Sequence, residues 1–244
     1  MNTLVSSSAG KSGYCPRIER LKGTQALADA VAGVVAAAVT QGLQRCEYAS
    51  LVLSGGGTPE IYLPHVASLA LPWDRVRILL ADERWVGGDS PHSNTAMLRR
   101  TLLSQPGPAQ ARYIPLKNDS PTAEEGLKQI RSGLPPLDQP YSLALLGMGN
   151  DGHFASLFPG TPRLAELLSP DNTERVAAIP APTTASPYVE RVTLTLAEIR
   201  RSERIVLVLQ GGAKLEVLER AWQSADALAM PVFALGQVEV LWCP

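Results

Sequence analysis

An aspartate and a histidine lie two residues apart in a segment that contains three glycines. Asp151 and His153 follow the apolar run 141–146, within the segment GMGNDGHFASLFPG. An imidazole beside a carboxylate can act as a general base near neutral pH. A lone histidine in a turn is more often held by backbone groups, but the adjacent aspartate and glycines favour a catalytic role. We therefore predict that His153 is a general base.

The same glycines also fit a second interpretation. Gly147, Gly149 and Gly152 have the GxGxxG spacing of a dinucleotide-binding turn. That turn must lead directly into a helix, and a later strand must end in an acidic residue. Here Pro159 and Gly160 interrupt the segment too early for such a helix. A nicotinamide-dependent dehydrogenase is therefore disfavoured.

A glycine-rich turn follows the apolar run 49–53. Glycines let backbone N–H groups approach an anion, and the N-terminus of a following helix adds partial positive charge. The turn therefore favours a phosphate site over a plain tight turn, although no Walker motif is present. The residues of this predicted phosphate site are Ser54, Gly55, Gly56, Gly57 and Thr58.

Three consecutive charged residues follow the apolar run 75–81. Asp82, Glu83 and Arg84 cannot all face bulk solvent if that run is a buried strand. Asp82 or Glu83 could act as a base, and Arg84 could bind an anion. A structural salt bridge that fixes the loop explains the same residues equally well.

Two further basic residues stand at the ends of predicted elements. Arg191 begins the apolar segment RVTLTL, and Lys214 follows a Gly-Gly pair at the start of a predicted helix. Each residue alone is typical of a solvated surface charge. Together with the glycine-rich turn they could complete a phosphate site.

Apolar runs alternate with segments of helical periodicity. The predicted strands are 49–53, 75–81, 141–146, 175–179, 189–195 and 204–209. The predicted helices are one capped by Thr24, one capped by Thr58 and kinked at Pro64, one from Ser93 to Leu103, one from Ser120 to about Arg131, and one over 213–224. This alternation predicts an α/β fold with a mostly parallel sheet covered on both faces, and ligands bind at the carboxyl ends of such strands. We predict a single domain over 1–244, with 1–20 as a loose segment or short edge strand.

Composition excludes several classes of function. The 244 residues include 22 Lys+Arg and 23 Asp+Glu, a net charge of −1, so a nucleic-acid partner is not expected. The longest apolar run, 30–39, is shorter than the roughly 20 residues of a membrane-spanning helix, and no secretory signal is visible. Three cysteines without CxxC spacing and three dispersed histidines predict neither disulfides nor a metal site. We expect a cytoplasmic protein without a membrane partner, and the sequence leaves the oligomeric state open.

The candidate segments share their order and spacing with one known family. They are SGGGTP (54–59), ADERWV (81–86) with the following SN (93–94), GMGNDGHFASLFPG (147–160), RVTLTL (191–196) and GGAK (211–214). In this arrangement the chain resembles the 6-phosphogluconolactonase family, within the superfamily that also contains glucosamine-6-phosphate deaminases. The resemblance extends from about Thr24 to about Leu235.

The resemblance implies a fold, a reaction and residue roles. The fold would be three-layer α/β/α with a Rossmann-like sheet, and the reaction would hydrolyse 6-phospho-D-glucono-1,5-lactone to 6-phosphogluconate without a metal or organic cofactor. That reaction is the second step of the oxidative pentose phosphate pathway. The resemblance makes His153 the general base, with Asp151 and Asp82 shaping the site. The implied phosphate and substrate ligands are Arg84, Arg191, Lys214 and the turn 54–58.

Three alternatives are weighed against this function. Deaminases of the superfamily carry a glutamate five residues after the histidine, where this sequence has Phe158, a residue that cannot move a proton. A non-catalytic sugar-phosphate sensor usually has an additional DNA-binding helix-turn-helix, for which we expect no room in the ~23 residues before the first core helix. The dehydrogenase is already disfavoured. The sequence also departs from the family's usual pattern, with Gly57 in place of a common serine and Gly87 in place of a common proline.

Overall fold

The structure is a computed structural model that describes residues 16–180 and 187–244. The strands in these residues are β1 (Arg17–Arg20), β2 (Ala49–Leu53), β3 (Val76–Leu80), β4 (Asp82–Arg84), β5 (Arg112–Ile114), β6 (Leu143–Leu146), β7 (Val176–Ile179), β8 (Arg191–Leu194), β9 (Ile205–Gln210) and β10 (Glu239–Cys243). The α-helices are α1 (Thr24–Arg45), α2 (Gly57–Ala67), α3 (Asn94–Leu98), α4 (Ala123–Gly133), α5 (Leu164–Leu167), α6 (Leu196–Ile199) and α7 (Gly212–Ser224).

Seven strands form one sheet in the order β1-β10-β9-β6-β2-β3-β5. Every neighbouring pair in this sheet is parallel. Every residue of β2 and β6 is buried, as expected for parallel strands that helices cover on both faces. The fold is therefore three-layer α/β/α, which confirms the predicted fold class.

The chain reverses its direction of winding between two central strands. From β2 it proceeds outward through β3 to β5, then returns to β6 on the other side of β2 and continues through β9 to β10. In open α/β sheets a crevice forms at the carboxyl ends of the strands where the winding reverses. The segments that follow β2 and β6 contain the glycine-rich turn and His153, so the topology brings these two predicted sites together.

Two predicted strands lie outside the main sheet. The segments predicted at 175–179 and 189–195 form β7 and β8, which pair antiparallel with β4 in a separate sheet of order β4-β8-β7. Parallel neighbours need a crossover connection, usually a helix, and no helical pattern separates these two segments. The residues Asp82–Arg84, which the sequence suggested as a loop, form the third strand of this small sheet.

Glycines, and not the predicted threonines, precede the first two helices. Thr24 is the first residue of α1 and Gly23 is the N-cap, so the prediction that Thr24 caps the helix was wrong. Likewise α2 begins at Gly57, with Gly56 as its N-cap at φ 101°, a conformation that favours glycine over threonine. Helix α2 continues through Pro64 to its end.

The next two helices have side-chain caps. The Ser93 hydroxyl accepts a hydrogen bond from the Ala96 N–H at 3.1 Å, which confirms Ser93 as a cap. A π-helical turn continues α3 over Arg99–Leu103. Helix α4 is capped by Thr122, two residues later than the predicted Ser120, because the Thr122 hydroxyl accepts from Glu125 N.

The sequence predicted no membrane-spanning segment, whereas helix α1 is long and apolar enough to be one. By length and composition alone, its 22 residues are apolar enough to cross a membrane, although half of the qualifying window is buried inside the fold. The helix packs on α2, β2 and β10, as a core helix does. At the start of the described chain, residues 17–20 form the edge strand β1, whereas residues 1–15 of the predicted loose segment lie outside the described residues. Because strands from both ends of the chain join one sheet, a single domain remains our proposal.

Candidate functional site

A cavity of about 240 Å³ lies at the carboxyl ends of the central strands. It collects the predicted residues from the segments that follow β2, β3, β6 and β9, and from the first residue of β8. Every predicted site residue except Asp151 lines it: Ser54, Gly55, Gly56, Gly57, Thr58, Asp82, Arg84, His153, Arg191 and Lys214. The structure therefore brings the predicted residues together, with Asp151 placed behind His153.

His153 and Asp151 form a hydrogen-bonded pair at the cavity wall. The His153 Nδ1 lies 2.5 Å from Asp151 Oδ1, which also accepts the His153 backbone N–H at 3.1 Å. Burial alone would raise the pKa of the Asp151 carboxyl, but its hydrogen bonds with His153 and the charge of that ring lower the pKa below its ordinary value. With Nδ1 occupied by the carboxylate, Nε2 is the ring nitrogen left to accept a proton.

Two glycines shape the turn that carries this pair. A Cβ on Gly149 would lie 2.6 Å from Asp151 Oδ1 and closer still to the His153 ring. Gly152 has a φ of 79°, and its carbonyl accepts the Val232 N–H at 2.8 Å. The first glycine allows the pair to approach the backbone, and the second allows the reversal that aims His153 at the cavity.

The glycine-rich turn is fixed between the two central strands. Ser54 N donates to Leu145 O at 3.0 Å, which links the turn to β6. Gly55 lies so close to the Asn94 side chain that any Cβ would collide with it. The turn ends at the N-terminus of α2, an eleven-residue helix whose dipole favours an anion at this position.

Two arginines face each other across the small sheet. Arg84 of β4 and Arg191 of β8 are direct cross-strand partners, an arrangement in which like charges repel. Among the described residues, the Nε of each is buried without a hydrogen-bond partner. Burial lowers the pKa of Arg191, which is only 3% exposed. An anion between the two guanidinium groups would relieve both the repulsion and the missing hydrogen bonds.

The two neighbouring carboxylates have different surroundings. Asp82 lines the cavity, and its Oδ2 accepts the Ser156 hydroxyl at 2.6 Å. Glu83 is buried and accepts the backbone N–H groups of Asn94 and Thr95 at 2.8 and 2.7 Å, at the start of α3. Glu83 therefore holds a helix terminus and is not placed to act as a base, whereas Asp82 remains a candidate.

Lys214 reaches the cavity from the first turn of α7. Its Nζ donates to the Met148 carbonyl, next to the turn that carries His153. Burial lowers the pKa of the ammonium, and the charge of Asp151 partly opposes this effect. The group lies where it can contribute positive charge to a bound anion.

Comparison with known proteins identifies the family of this chain. A family model described as glucosamine-6-phosphate isomerases/6-phosphogluconolactonase matches residues 22–242. A 6-phosphogluconolactonase of Caulobacter vibrioides is 35% identical over 93% of this chain and 97% of its own length. The chain belongs to the 6-phosphogluconolactonase family. A second relative of that name, from Pseudomonas aeruginosa, is 36% identical over 88% of this chain and 89% of its own.

Solved structures support the same family and show how widely the fold is shared. The crystal structure of a 6-phosphogluconolactonase from Shewanella baltica has a TM-score of 0.88 and 35% identity, covering 94% of this chain and 98% of the other. A monomeric glucosamine-6-phosphate deaminase has a TM-score of 0.77 at 19% identity, covering 93% and 97%. The second likeness shows the fold alone, so side chains must distinguish a lactonase from a deaminase.

Three residues in or beside the cavity of this lactonase-family chain have contacts or backbone geometry that the sequence did not predict. Asn94 lines the cavity, and its Oδ1 is buried without a partner among the described residues. Ala155 lines it too and has a φ of 48°, which is strained for a residue with a Cβ. Phe158 packs on the His153 ring with centroids 4.2 Å apart. All three lie in the segments that carry the family resemblance, but only the fold shows what they contact.

Candidate metal ligands are also dispersed in three dimensions. Within residues 16–180 and 187–244, no three His, Cys, Asp or Glu side chains cluster as a metal site. Cys46 and Cys243 are free, and Cys15 lies outside these ranges.

Proposed function

We propose that the protein hydrolyses 6-phospho-D-glucono-1,5-lactone to 6-phospho-D-gluconate. One observation carries the proposal. Of the five buried side-chain polar atoms without a partner in the described residues, four belong to cavity residues: Ser54, Arg84, Asn94 and Arg191. Buried polar groups are normally satisfied within the fold, so this cavity is suited to a polyanionic, hydroxyl-rich ligand beside the His153–Asp151 pair.

The reaction follows from the groups that line the cavity. His153 Nε2 accepts a proton from water as the water oxygen forms a bond to C1 of the lactone. The carbonyl oxygen becomes an oxyanion, and cationic or N–H donors of the cavity stabilise it. When the oxyanion collapses, the bond between C1 and the ring oxygen breaks, and the imidazolium returns the proton to that oxygen. The chemistry requires no covalent nucleophile, metal ion or organic cofactor.

Phosphate binding supplies the position of the reacting carbon. The glycine-rich turn at the start of α2, with Arg84, Arg191 and Lys214, surrounds the cavity with partial and full positive charges. The phosphate does not react, so its binding energy can be used to align C1 with His153. Asp151 would keep the imidazole in the tautomer with its proton on Nδ1.

The first experiment follows lactone decay above the spontaneous rate. The lactone is generated in place from glucose 6-phosphate with a dehydrogenase, and ammonia release from glucosamine 6-phosphate is measured in parallel. We expect accelerated lactone loss and no ammonia. Ammonia release without lactone loss would make the protein a deaminase. If neither reaction occurs, the site would be one that binds sugar phosphates without catalysis.

A matched pair of variants tests the general base. His153→Ala is expected to lower kcat about 10²- to 10⁴-fold, the usual contribution of a general base, while binding of 6-phosphogluconate persists. His65→Ala is the control, because His65 also lies near an aspartate, with Nδ1 3.3 Å from Asp29 Oδ1, but lies outside the cavity. Near-native turnover in His153→Ala would remove this residue from the mechanism.

The proposed substrate also bears on location. The oxidative pentose phosphate pathway, of which this hydrolysis is the second step, fits the cytoplasm that the cysteine pattern suggested, and we propose that location. Tagged protein followed by cell fractionation tests it. Recovery in the membrane fraction would contradict the proposal and would indicate that α1 associates with a membrane.

A further inference from the structure

One aromatic ring lies between the proposed base and the proposed anion-binding group. The ring of Phe158 packs on His153 with centroids 4.2 Å apart and an interplanar angle of 37°. The guanidinium carbon of Arg191 lies 5.3 Å from the centroid of the same ring. Phe158 itself is 3% exposed. Two side chains from different elements therefore contact a single buried ring.

The backbone around Phe158 is held by several hydrogen bonds. Its carbonyl accepts the Thr161 N–H at 3.0 Å. Ser156, two residues earlier, donates its N–H to the Thr193 hydroxyl at 3.2 Å and its own hydroxyl to Asp82 at 2.6 Å. These bonds attach the segment to β8 and β4, so the ring is a fixed surface against which other side chains can be oriented.

Hydrogen bonds alone do not fix the orientation of either neighbour. The side chain of His153 has one hydrogen bond in the described residues, from Nδ1 to Asp151, and a single bond does not define the plane of the ring. Arg191 donates from Nη2 to Pro187 O at a long 3.4 Å, and its Nε has no partner among the described residues. Aromatic stacking and cation–π attraction restrict the freedom that the hydrogen bonds leave.

We propose, on the basis of the proposed function, that Phe158 is a positioning residue that aligns the His153 imidazole and the Arg191 guanidinium on one substrate. Its ring offers no proton and no acceptor atom, so it orients Nε2 of the imidazole without competing for it. A carboxylate at this position would pair with the Arg191 guanidinium or hydrogen-bond the imidazole, and would draw either group away from the cavity. The apolar ring thus suits a base that must act on water.

This role is tested by two variants in which the aromatic ring is removed. Phe158→Leu and Phe158→Met keep an apolar side chain of similar size but abolish stacking. We expect kcat to fall about tenfold, since a misplacement of about 1 Å can lower rates by up to about 10²-fold. We expect KM to rise severalfold because Arg191 also loses its alignment. Phe233→Leu is the matched control, since Phe233 packs on Trp222 outside the cavity.

A spectroscopic measurement on the unmodified protein tests the geometry without any variant at Phe158. The ring protons of His153, assigned by comparison with His153→Gln, are expected to show upfield shifts in NMR spectra from the Phe158 ring current. Wild-type lactone turnover, measured first, decides the proposed function independently. With turnover established, folded ring-free variants whose kcat and KM both stay within about twofold of wild type would overturn the positioning role, as would unshifted His153 ring protons.

Discussion

Replacing one hydrogen atom on Gly149 with a methyl group tests whether the position of His153 limits the reaction. In Gly149→Ala, the new Cβ lies 2.6 Å from Asp151 Oδ1 and closer to Cε1 and Nδ1 of His153. Ordinary van der Waals contact begins near 3.4 Å. The methyl group therefore cannot be accommodated unless the His153–Asp151 pair moves or the turn opens.

The size of the effect follows from this displacement. The pair must retreat by about 1 Å, and a misplacement of that size can lower a rate about 10²-fold, which corresponds to about 2.7 kcal/mol in the activation free energy. Overpacking also lowers the free energy of unfolding by about 1–3 kcal/mol. We therefore expect a folded protein with strongly reduced kcat and little change in KM, because the groups that bind phosphate lie elsewhere in the cavity.

Lactone decay and thermal unfolding measure the two effects separately. Gly147→Ala is the control in the same turn, since a Cβ there meets nothing within 4 Å and its φ is not positive. We expect Gly147→Ala to stay within about threefold of wild-type kcat. If Gly149→Ala is folded and turns over at the wild-type rate, the position of His153 does not limit the reaction and the reasoning is refuted.

Three further predictions concern other buried charges. Arg191→Met removes one of the two cross-strand guanidinium groups and should raise KM at least about tenfold; unchanged KM would move the anion site elsewhere. Burial lowers the pKa of Lys214, and phosphate binding needs the charged ammonium. The affinity for 6-phosphogluconate, measured by calorimetry, should therefore weaken as pH rises, at a pH below the ordinary lysine pKa of 10.5. A pH-independent affinity would contradict this. Glu198→Gln should lower the unfolding free energy by about 3–5 kcal/mol without changing kcat, because this buried carboxylate pairs with arginines outside the cavity; urea unfolding checks it.

Hydrophobic patterning was sufficient to predict the inner strands β2, β3, β6 and β9 of the central sheet, but not its strands β5 and β10 or the separate small sheet. The runs that became β2, β3 and β6 are largely apolar, interrupted only by Ser50 and Arg77, which indicates strands covered on both faces. β4 contains only charged residues, so its sequence resembles a loop. It becomes a strand because β8 pairs with it, a tertiary interaction that local propensity does not encode.

The site could be predicted as a set of residues but not as a set of contacts. Sequence motifs singled out His153 and Arg191 because their residue types suit the chemistry. The roles of Glu83 and Phe158 depend on partners distant in sequence, such as the N-terminus of α3 for Glu83. The same limit explains why Asp82 and Glu83, adjacent and chemically alike, were equivalent candidates on residue type alone: the family resemblance favoured Asp82, and the fold shows what Glu83 binds instead.

Two buried charged clusters in this protein support the proposal that the cavity binds an anion. Glu198 is 2% exposed and accepts hydrogen bonds from Tyr141, Arg175 and Arg201, so its charge is fully compensated by the fold. Arg191 is 3% exposed, yet it faces Arg84, and the Nε atoms of both lack partners among the described residues. The Glu198 cluster shows that this fold can supply several hydrogen-bond partners to a buried charged side chain. We therefore attribute the two buried Nε atoms without partners to an anionic ligand, whose binding would supply the hydrogen bonds that the described residues do not.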